Sequence, residues 1–198
     1  MSGTAGDRGP TGIAQAIELY GRPEERDAII QVSQETLDYW RNLEDGRTAE
    51  VVMLVRRQNG RYLLHTKSFY PEGAYRLLTG GIHAGEDLVR AAMREGREET
   101  SLELRLERFV GIVRQSLTHD GEQFCFTSYL FELADQGGSL RAEDEGEGIS
   151  GYREVSAASL PEVARQLECL DGDWADWGAL RAVSHRLAAE ALAGRTAG

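Results

Sequence analysis

The sequence predicts an α/β fold, and three observations carry that expectation. Two apolar, β-branched runs, Ala49–Arg57 and Arg61–Lys67, are separated by Gln58-Asn59-Gly60, and Asn-Gly between strand-like runs is a strong hairpin signal. A glycine-rich stretch, Leu78 to Gly85, opens straight into a run of helix formers ending near Thr100. Alternating segments, Glu103–Arg114 and Glu122–Leu133, then follow around His119-Asp120-Gly121, which reads as a second pair of strands joined by a turn.

The elements follow in order. Residues 1 to about 11 are small and polar and are expected to be disordered. From Pro23 to Leu43 the residues Ile29, Val32, Thr36, Leu37, Trp40 and Leu43 recur at helical spacing, with Pro23 suited to a first helical position. One amphipathic helix is expected there, with Trp40 on its packed stripe or, alternatively, serving as a ligand platform. In the Asn59-Gly60 turn both residues are expected at positive φ. His65 sits on the second strand, as a strand-face residue or a substrate contact. Tyr70-Pro71-Glu72-Gly73 is a loop, and Tyr75–Thr79 a short strand leading to Gly80.

After the paired strands, Ala134 to Gly151 reads as a long acidic, glycine-rich connection, of a length that is more often functional than idle. Tyr152–Val155 is expected as the last strand, and Ser156–Leu170 as a helix with Pro161 in its first turn. A final helix is expected from Asp173 as N-cap, carrying Trp177, Leu180, Val183, Leu187 and Ala191 inward.

The chemistry concentrates between Leu78 and Leu102. At 100° per residue, Val89, Ala92, Met93, Gly96 and Thr100 share one stripe, which is expected to face a sheet. Leu88, Ala91, Glu95, Glu98 and Glu99 share the next, because Glu98 and Glu99 follow Glu95 at i+3 and i+4. Three carboxylates crowded on one face repel one another unless a cation or solvent relieves them. Oxygen-rich sites of this kind suit Mg²⁺ or Mn²⁺. The plain alternative is a solvated acidic helix with an Arg94–Glu98 pair.

The spacing of the whole segment favours the first reading. Gly80, Glu86, Arg94-Glu95, Glu98-Glu99 and Leu102 stand in the order G-x5-E-x7-R-E-U-x-E-E-x-G-U, where U is aliphatic, across 23 positions. This resembles the Nudix box of the Nudix hydrolase superfamily. Two positions depart from it. Gly96 replaces an aliphatic residue, which suggests a close approach of another backbone or an irregular helix, since an interior Gly costs about 1 kcal/mol relative to Ala. Ser101 replaces the Gly best able to take positive φ where the helix ends.

The resemblance implies an α/β/α sandwich around a mixed β-sheet, here with added N- and C-terminal helices, and metal-dependent cleavage of a pyrophosphate bond. The substrate it implies is a nucleoside diphosphate linked to another moiety, such as ADP-ribose, a nucleotide sugar or a nucleoside triphosphate. By matching position, Glu98 and Glu99 are metal ligands, with the Gly80 carbonyl a further one. Glu95 is a ligand or the base that deprotonates the attacking water, Arg94 orients a glutamate, and Glu86 supports the loop. Glu145 and Glu147 lie where some members place an additional glutamate, and Glu147 is preferred. His83 either faces the site or lies at the surface. Short signatures that separate the subfamilies are absent outside the box. The alternative reading is a non-catalytic Nudix-fold nucleotide-binding or regulatory module, although such proteins commonly lose the glutamates kept here.

Composition sets the bounds. A formal charge of −11 over 198 residues argues against a nucleic-acid polymer as partner, because phosphate backbones need a basic surface. Small phosphorylated molecules stay compatible with it. Cys125 and Cys169 are in no metal-ligand spacing and are expected as reduced, partly buried thiols. No apolar run suits a signal peptide or membrane span, so a cytoplasmic protein is expected. The domain plan is 1–11 disordered, 12–48 an N-terminal helical extension, 49–170 the catalytic domain and 171–198 a C-terminal helix. The two extensions exceed a minimal domain, and a homodimer is expected from that surplus.

Overall fold

The apolar run from Ala49 becomes the strand on which the rest is assembled. A computed structural model describes residues 10–43, 46–142, 146 and 148–194. In chain order the elements are α1 (Ile13–Tyr20), β1 (Glu24–Gln31), α2 (Gln34–Arg41), β2 (Ala49–Arg56), β3 (Tyr62–Lys67), β4 (Leu78–Gly81), α3 (Leu88–Thr100), β5 (Leu102–His119), β6 (Glu122–Gly138), β7 (Ile149–Val155), α4 (Leu160–Glu168) and α5 (Ala175–Ala193). Among the described residues, seven strands form one sheet in the order β1-β5-β6-β2-β3-β7, with β4 also against β2. The sheet is mixed: β1 runs parallel to β5 and β2 parallel to β6, while the other pairs are antiparallel.

Strand β2 is apolar almost throughout because both its faces are covered. Val51, Met53 and Val55 point to one side, where Leu88, Ala91 and Ala92 of α3 and Ala16 of α1 meet them. Val52 and Leu54 point to the other, against Leu160, Val163, Ala164 and Leu167 of α4 and Leu187 and Ala188 of α5. The period of two thus builds two cores from one strand, and each fully buried Leu or Val contributes about 1.5–3 kcal/mol. The result is the expected α/β/α sandwich. A third cluster lies under α2, where Leu37 and Trp40 pack with Ile30, Leu117, Phe126 and Leu180. Trp40 is therefore core, edge-on to Phe126 at 4.5 Å. Among the described residues no helix is long and apolar enough to cross a membrane.

Several elements differ from expectation. The single helix over 23–43 is instead strand β1 followed by α2. Helical spacing and edge-strand pairing compete for this stretch, and the eight-residue parallel register from Glu24↔Gly111 to Gln31↔Thr118 wins the first half. Ser33, whose hydroxyl accepts from Thr36 N–H at 3.2 Å, starts the helix only afterwards. Residues 1–9 lie outside the described part, while Thr11 is tied to the loop before α3.

In the first hairpin only Gly60 takes positive φ (81°), and Asn59 does not. Gly60 N–H bonds Arg57 O at 2.8 Å, making a three-residue loop in place of the two-residue turn. The second hairpin has the two-residue form, with Asp120 at φ 44° and Gly121 at φ 84°. The strand expected at Tyr75–Thr79 is displaced to Leu78–Gly81, and the long connection shortens because β6 runs on to Gly138 and β7 begins at Ile149. Asp173 is not an N-cap: it sits in a 3-10 turn, Gly172–Trp174, and α5 starts at Ala175. Of its expected inward residues Leu180 and Leu187 are buried, while Trp177, Val183 and Ala191 are half-buried. Cys125 and Cys169 are free and exposed, where partial burial was expected.

Candidate active site

The site forms where β4 delivers a glycine pair to the N-terminal half of β2. Gly80 and Gly81 pair with Val51 and Glu50 of β2. The chain then turns through Gly85, at φ 73°, into α3. Asp87 caps that helix, accepting from Val89 and Arg90 N–H at 3.0 and 3.1 Å. Thr11 clamps the same turn, donating to Glu86 O and accepting from Leu88 N–H. The helix ends at Ser101, which takes the left-handed conformation (φ 53°, ψ 17°) in spite of its side chain.

The buried face of α3 is not the stripe expected from spacing alone. Leu88, Ala91, Ala92, Glu95, Gly96, Glu99 and Thr100 are inside, so two of the three glutamates are on the covered side. The approach at Gly96 comes from a side chain, with Leu104 Cδ1 2.8 Å from where a Cβ would lie, and not from another backbone.

Arg94 organises the carboxylates. Its guanidinium donates to both oxygens of Glu86 (3.0 and 2.9 Å), to Glu95 Oε1 (2.8 Å), to Glu98 Oε2 (3.1 Å) and to the Gly81 carbonyl (2.9 Å). A planar fork with several fixed N–H directions can hold this many acceptors at once, as an ammonium cannot. These bonds, to Glu86 first and then Glu95, raise the Arg94 pKa further above its ordinary value. Burial pushes Glu86 up, but the Arg94 bonds and the His83 N–H outweigh it and leave Glu86 below the usual carboxylate range. Glu86 therefore ties the loop to the helix, and His83 itself is exposed at the surface.

Glu95, Glu98, Glu86 and Arg94 are thus brought together, beside Gly80. Glu99 lies on the inner side, 1% exposed, with Oε1 3.9 Å from His65 Nδ1. His65 is wholly buried, and neither ring nitrogen has a hydrogen-bond partner. Burial, reinforced by Arg76, Lys67 and Arg181, holds its pKa well below the ordinary value, so it is neutral. Tyr152 donates to the Glu99 carbonyl, and burial pushes its pKa up to about 12. Glu145 and Glu147 lie outside the described residues.

A cleft of about 230 Å³ opens in front of Gly80, Gly81 and Glu95. Its walls carry Arg47, Lys67, Arg76 and Arg181, a positive concentration in a chain of net charge −11. Arg181 Nη1 lies 2.7 Å from each oxygen of Glu50, which also accepts from Ser128 Oγ at 2.8 Å. Sequence reasoning missed these cations, which come from four separate segments with no common spacing.

Among the described residues, no three His, Cys, Asp or Glu side chains are gathered closely enough to hold a metal ion as they stand. The donor chemistry nevertheless fits a hard cation, since Glu95 and Glu98 converge beside backbone oxygen and Mg²⁺ needs only one or two carboxylates plus water and phosphate.

A family model, the NUDIX domain, matches residues 46–176. The chain belongs to that family and is a Nudix-type hydrolase, of the class that cleaves pyrophosphate bonds. Among solved structures, it is similar to a C. elegans Ap4A hydrolase binary complex, at 18% identity over 74% of this chain and 98% of that one, with a TM-score of 0.46. It is also similar to the MutT protein from Methanosarcina mazei Go1 (17%, 73% and 99%, TM-score 0.44). A third is the E. coli dihydroneopterin triphosphate pyrophosphohydrolase (20%, 66% and 90%, TM-score 0.43). No curated protein sequence matches the chain.

Proposed function

We propose that the protein uses Mg²⁺ or Mn²⁺ to hydrolyse a pyrophosphate bond in a nucleoside diphosphate linked to another moiety, such as ADP-ribose, a nucleotide sugar or a nucleoside triphosphate. The observation that carries this reading is the Arg94 network, which gathers Glu86, Glu95 and Glu98 beside Gly80 at the mouth of a cationic cleft.

In this reading Glu95, Glu98, Glu99 and the Gly80 carbonyl would hold the ion. Bound there, the ion supplies charge neutralisation for phosphate oxygens and activation of water. Arg94 orients Glu95 and Glu98 by charge-assisted hydrogen bonds, and Glu86 anchors Arg94 to the loop. Glu98, 44% exposed at its side chain, is within reach of solvent as a ligand, and Glu95 serves either as a further ligand or as the base that accepts the proton of the attacking water. Glu147, in the segment after β6, is proposed as a further base. Arg47, Lys67, Arg76 and Arg181 meet the diphosphate, converting a bimolecular encounter into an oriented one. The proposed partners are small nucleotides, with neither nucleic-acid polymer nor membrane involved. The assembly proposed is a homodimer in the cytoplasm, which sedimentation velocity tests for its oligomeric part.

The test is hydrolysis of ADP-ribose, nucleotide sugars, NADH, dinucleoside polyphosphates and nucleoside triphosphates with Mg²⁺ or Mn²⁺, beside Glu98→Gln. Ion-dependent turnover that collapses in the variant is the expected result. Nucleotide binding without turnover of any of them would replace this reading with the regulatory one.

A further inference from the structure

The cleft in front of Gly80 continues into a larger hollow of about 830 Å³ between α2 and the turn preceding α5. Tyr39, Trp40, Lys67, Trp177 and Arg181 line both spaces. The far wall is aromatic: Tyr70, Trp174 and Trp177 pack on one another with centroids 4.7 to 5.8 Å apart. Tyr39 of α2 also lines the hollow, 64% exposed, and Phe69, 60% exposed, lies on its rim. Half-buried and exposed rings gathered in one concavity cost hydration until something flat covers them.

This wall is registered to the reaction centre. Arg76 Nε and Nη2 donate to the Tyr70 hydroxyl at 2.9 and 2.7 Å, and Arg76 Nη1 donates to Thr79 Oγ1 at 2.8 Å. One buried guanidinium therefore fixes the aromatic wall relative to the residue next to Gly80. The cleft holds Glu95 with Arg47, Lys67, Arg76 and Arg181, and the hollow adds Tyr70 and Trp174 beside the shared Trp177. A nucleotide presents the complementary groups, an anionic diphosphate and a flat base. Glu35 and Asp173, both exposed, add acceptors at the hollow's edge.

We infer that the hollow between α2 and the Gly172–Trp174 turn receives the nucleobase of the substrate, stacked against the Tyr70, Trp174 and Trp177 wall and covered by Tyr39. This rests on the pyrophosphohydrolase reading above and deepens it, because α2 belongs to the extension beyond the matched domain.

The experiment compares ATP, GTP and ADP-ribose with 5-phosphoribosyl 1-pyrophosphate, which carries the diphosphate and ribose without a base, in the full chain and in Tyr39→Ala, Tyr39→Phe and Trp174→Ala. Tyr39 is exposed, so its removal leaves the core untouched, and circular dichroism verifies this. Stacking of one base is worth roughly five-fold or more in affinity. The expected result is a rise of at least five-fold in nucleotide KM for Tyr39→Ala and Trp174→Ala, a matching fall in the preference for nucleotides over the base-free compound, and rescue by Tyr39→Phe. An unchanged preference in both alanine variants overturns the base site. Quenching of tryptophan fluorescence by AMP and GMP, without added metal, supplies the second readout. If nothing is hydrolysed while quenching persists and disappears in Tyr39→Ala, the base site stands and the hydrolase reading falls. If the base-free compound is cleaved as well as any nucleotide, the hydrolase reading stands and the base site falls.

Discussion

A methyl group on Gly80 would lie 1.9 Å from the carboxyl carbon of Glu95. Gly80 does not have positive φ, so glycine is required there by space and not by backbone conformation. Gly80→Ala drives the buried Glu95 side chain, Cγ as well as carboxylate, away from its Arg94 bond, so the thermal midpoint falls by an amount on the order of 1–3 kcal/mol. Activity falls by at least about ten-fold, because a small displacement of a catalytic carboxylate is costly. Calorimetry beside steady-state kinetics separates the two, and retention of full activity would show that Glu95 does not work from its present position.

Arg94→Lys keeps the charge and loses the fork. Glu86 has a folded pKa below its ordinary 4.5, so its contribution to stability is fully present above about pH 4.5 and is lost as pH falls through the depressed value. In Arg94→Lys the Glu86 pKa returns towards its ordinary value, so this contribution shrinks and less stability is lost on acidification, and kcat/KM drops by roughly ten-fold or more at neutral pH as Glu95 and Glu98 lose their orientation. Urea midpoints recorded between pH 3 and 7 should show a shallower acid limb, and an unchanged limb would contradict the role given to Arg94.

His185 is buried with Nε2 accepting from Leu77 N–H at 2.9 Å and Nδ1 2.9 Å from the Arg181 carbonyl. Burial lowers its pKa from 6.5 to about 4. The unfolded chain therefore binds a proton that the folded one refuses, and stability present above about pH 6.5 is lost as pH falls towards 4. His185→Phe removes this dependence and leaves the Leu77 N–H unsatisfied, destabilising the fold by about 1–3 kcal/mol at pH 7. Denaturation at pH 7 and pH 5 tests both parts. A variant as pH-sensitive as the parent would assign the effect to His65, which is held neutral by the same surroundings.

Ser101 bears a left-handed conformation that costs a side-chain residue roughly 1–2 kcal/mol. Ser101→Gly should raise stability by about 1 kcal/mol without altering kcat, since the Ser101 hydroxyl has no hydrogen-bond partner and is not part of the Arg94 network. Urea denaturation measures it, and a loss of stability would show that the hydroxyl makes a compensating contact.

The box from Gly80 to Leu102 was legible because its constraints are local. A helix forces i, i+3 and i+4 together, and Arg94 reaches Glu98 as that spacing requires. The turn expected at His119-Asp120-Gly121 was legible to within one residue for the same reason: Asp120 and Gly121 take the two left-handed positions, and His119 ends β5. The stretch from Glu24 to Gln31 was not. Its apolar spacing suits a helix, and only the distant partner Gly111–Thr118 makes it a strand. The inward turn of Glu99 was hidden in the same way, because helical spacing says which residues share a face but not which face the sheet covers.

Periodicity, turn residues and the charged box were enough to set the fold class, the position of the central helix and the identity of its carboxylates, because each depends on neighbours a few residues apart. The cationic cleft and the aromatic hollow required the folded chain. Arg47, Arg76 and Arg181, or Tyr39 and Trp174, share no spacing in the sequence, and they meet only because sheet pairing and helix packing, both long-range and driven by burial, bring α2 and α5 to the same end of β2.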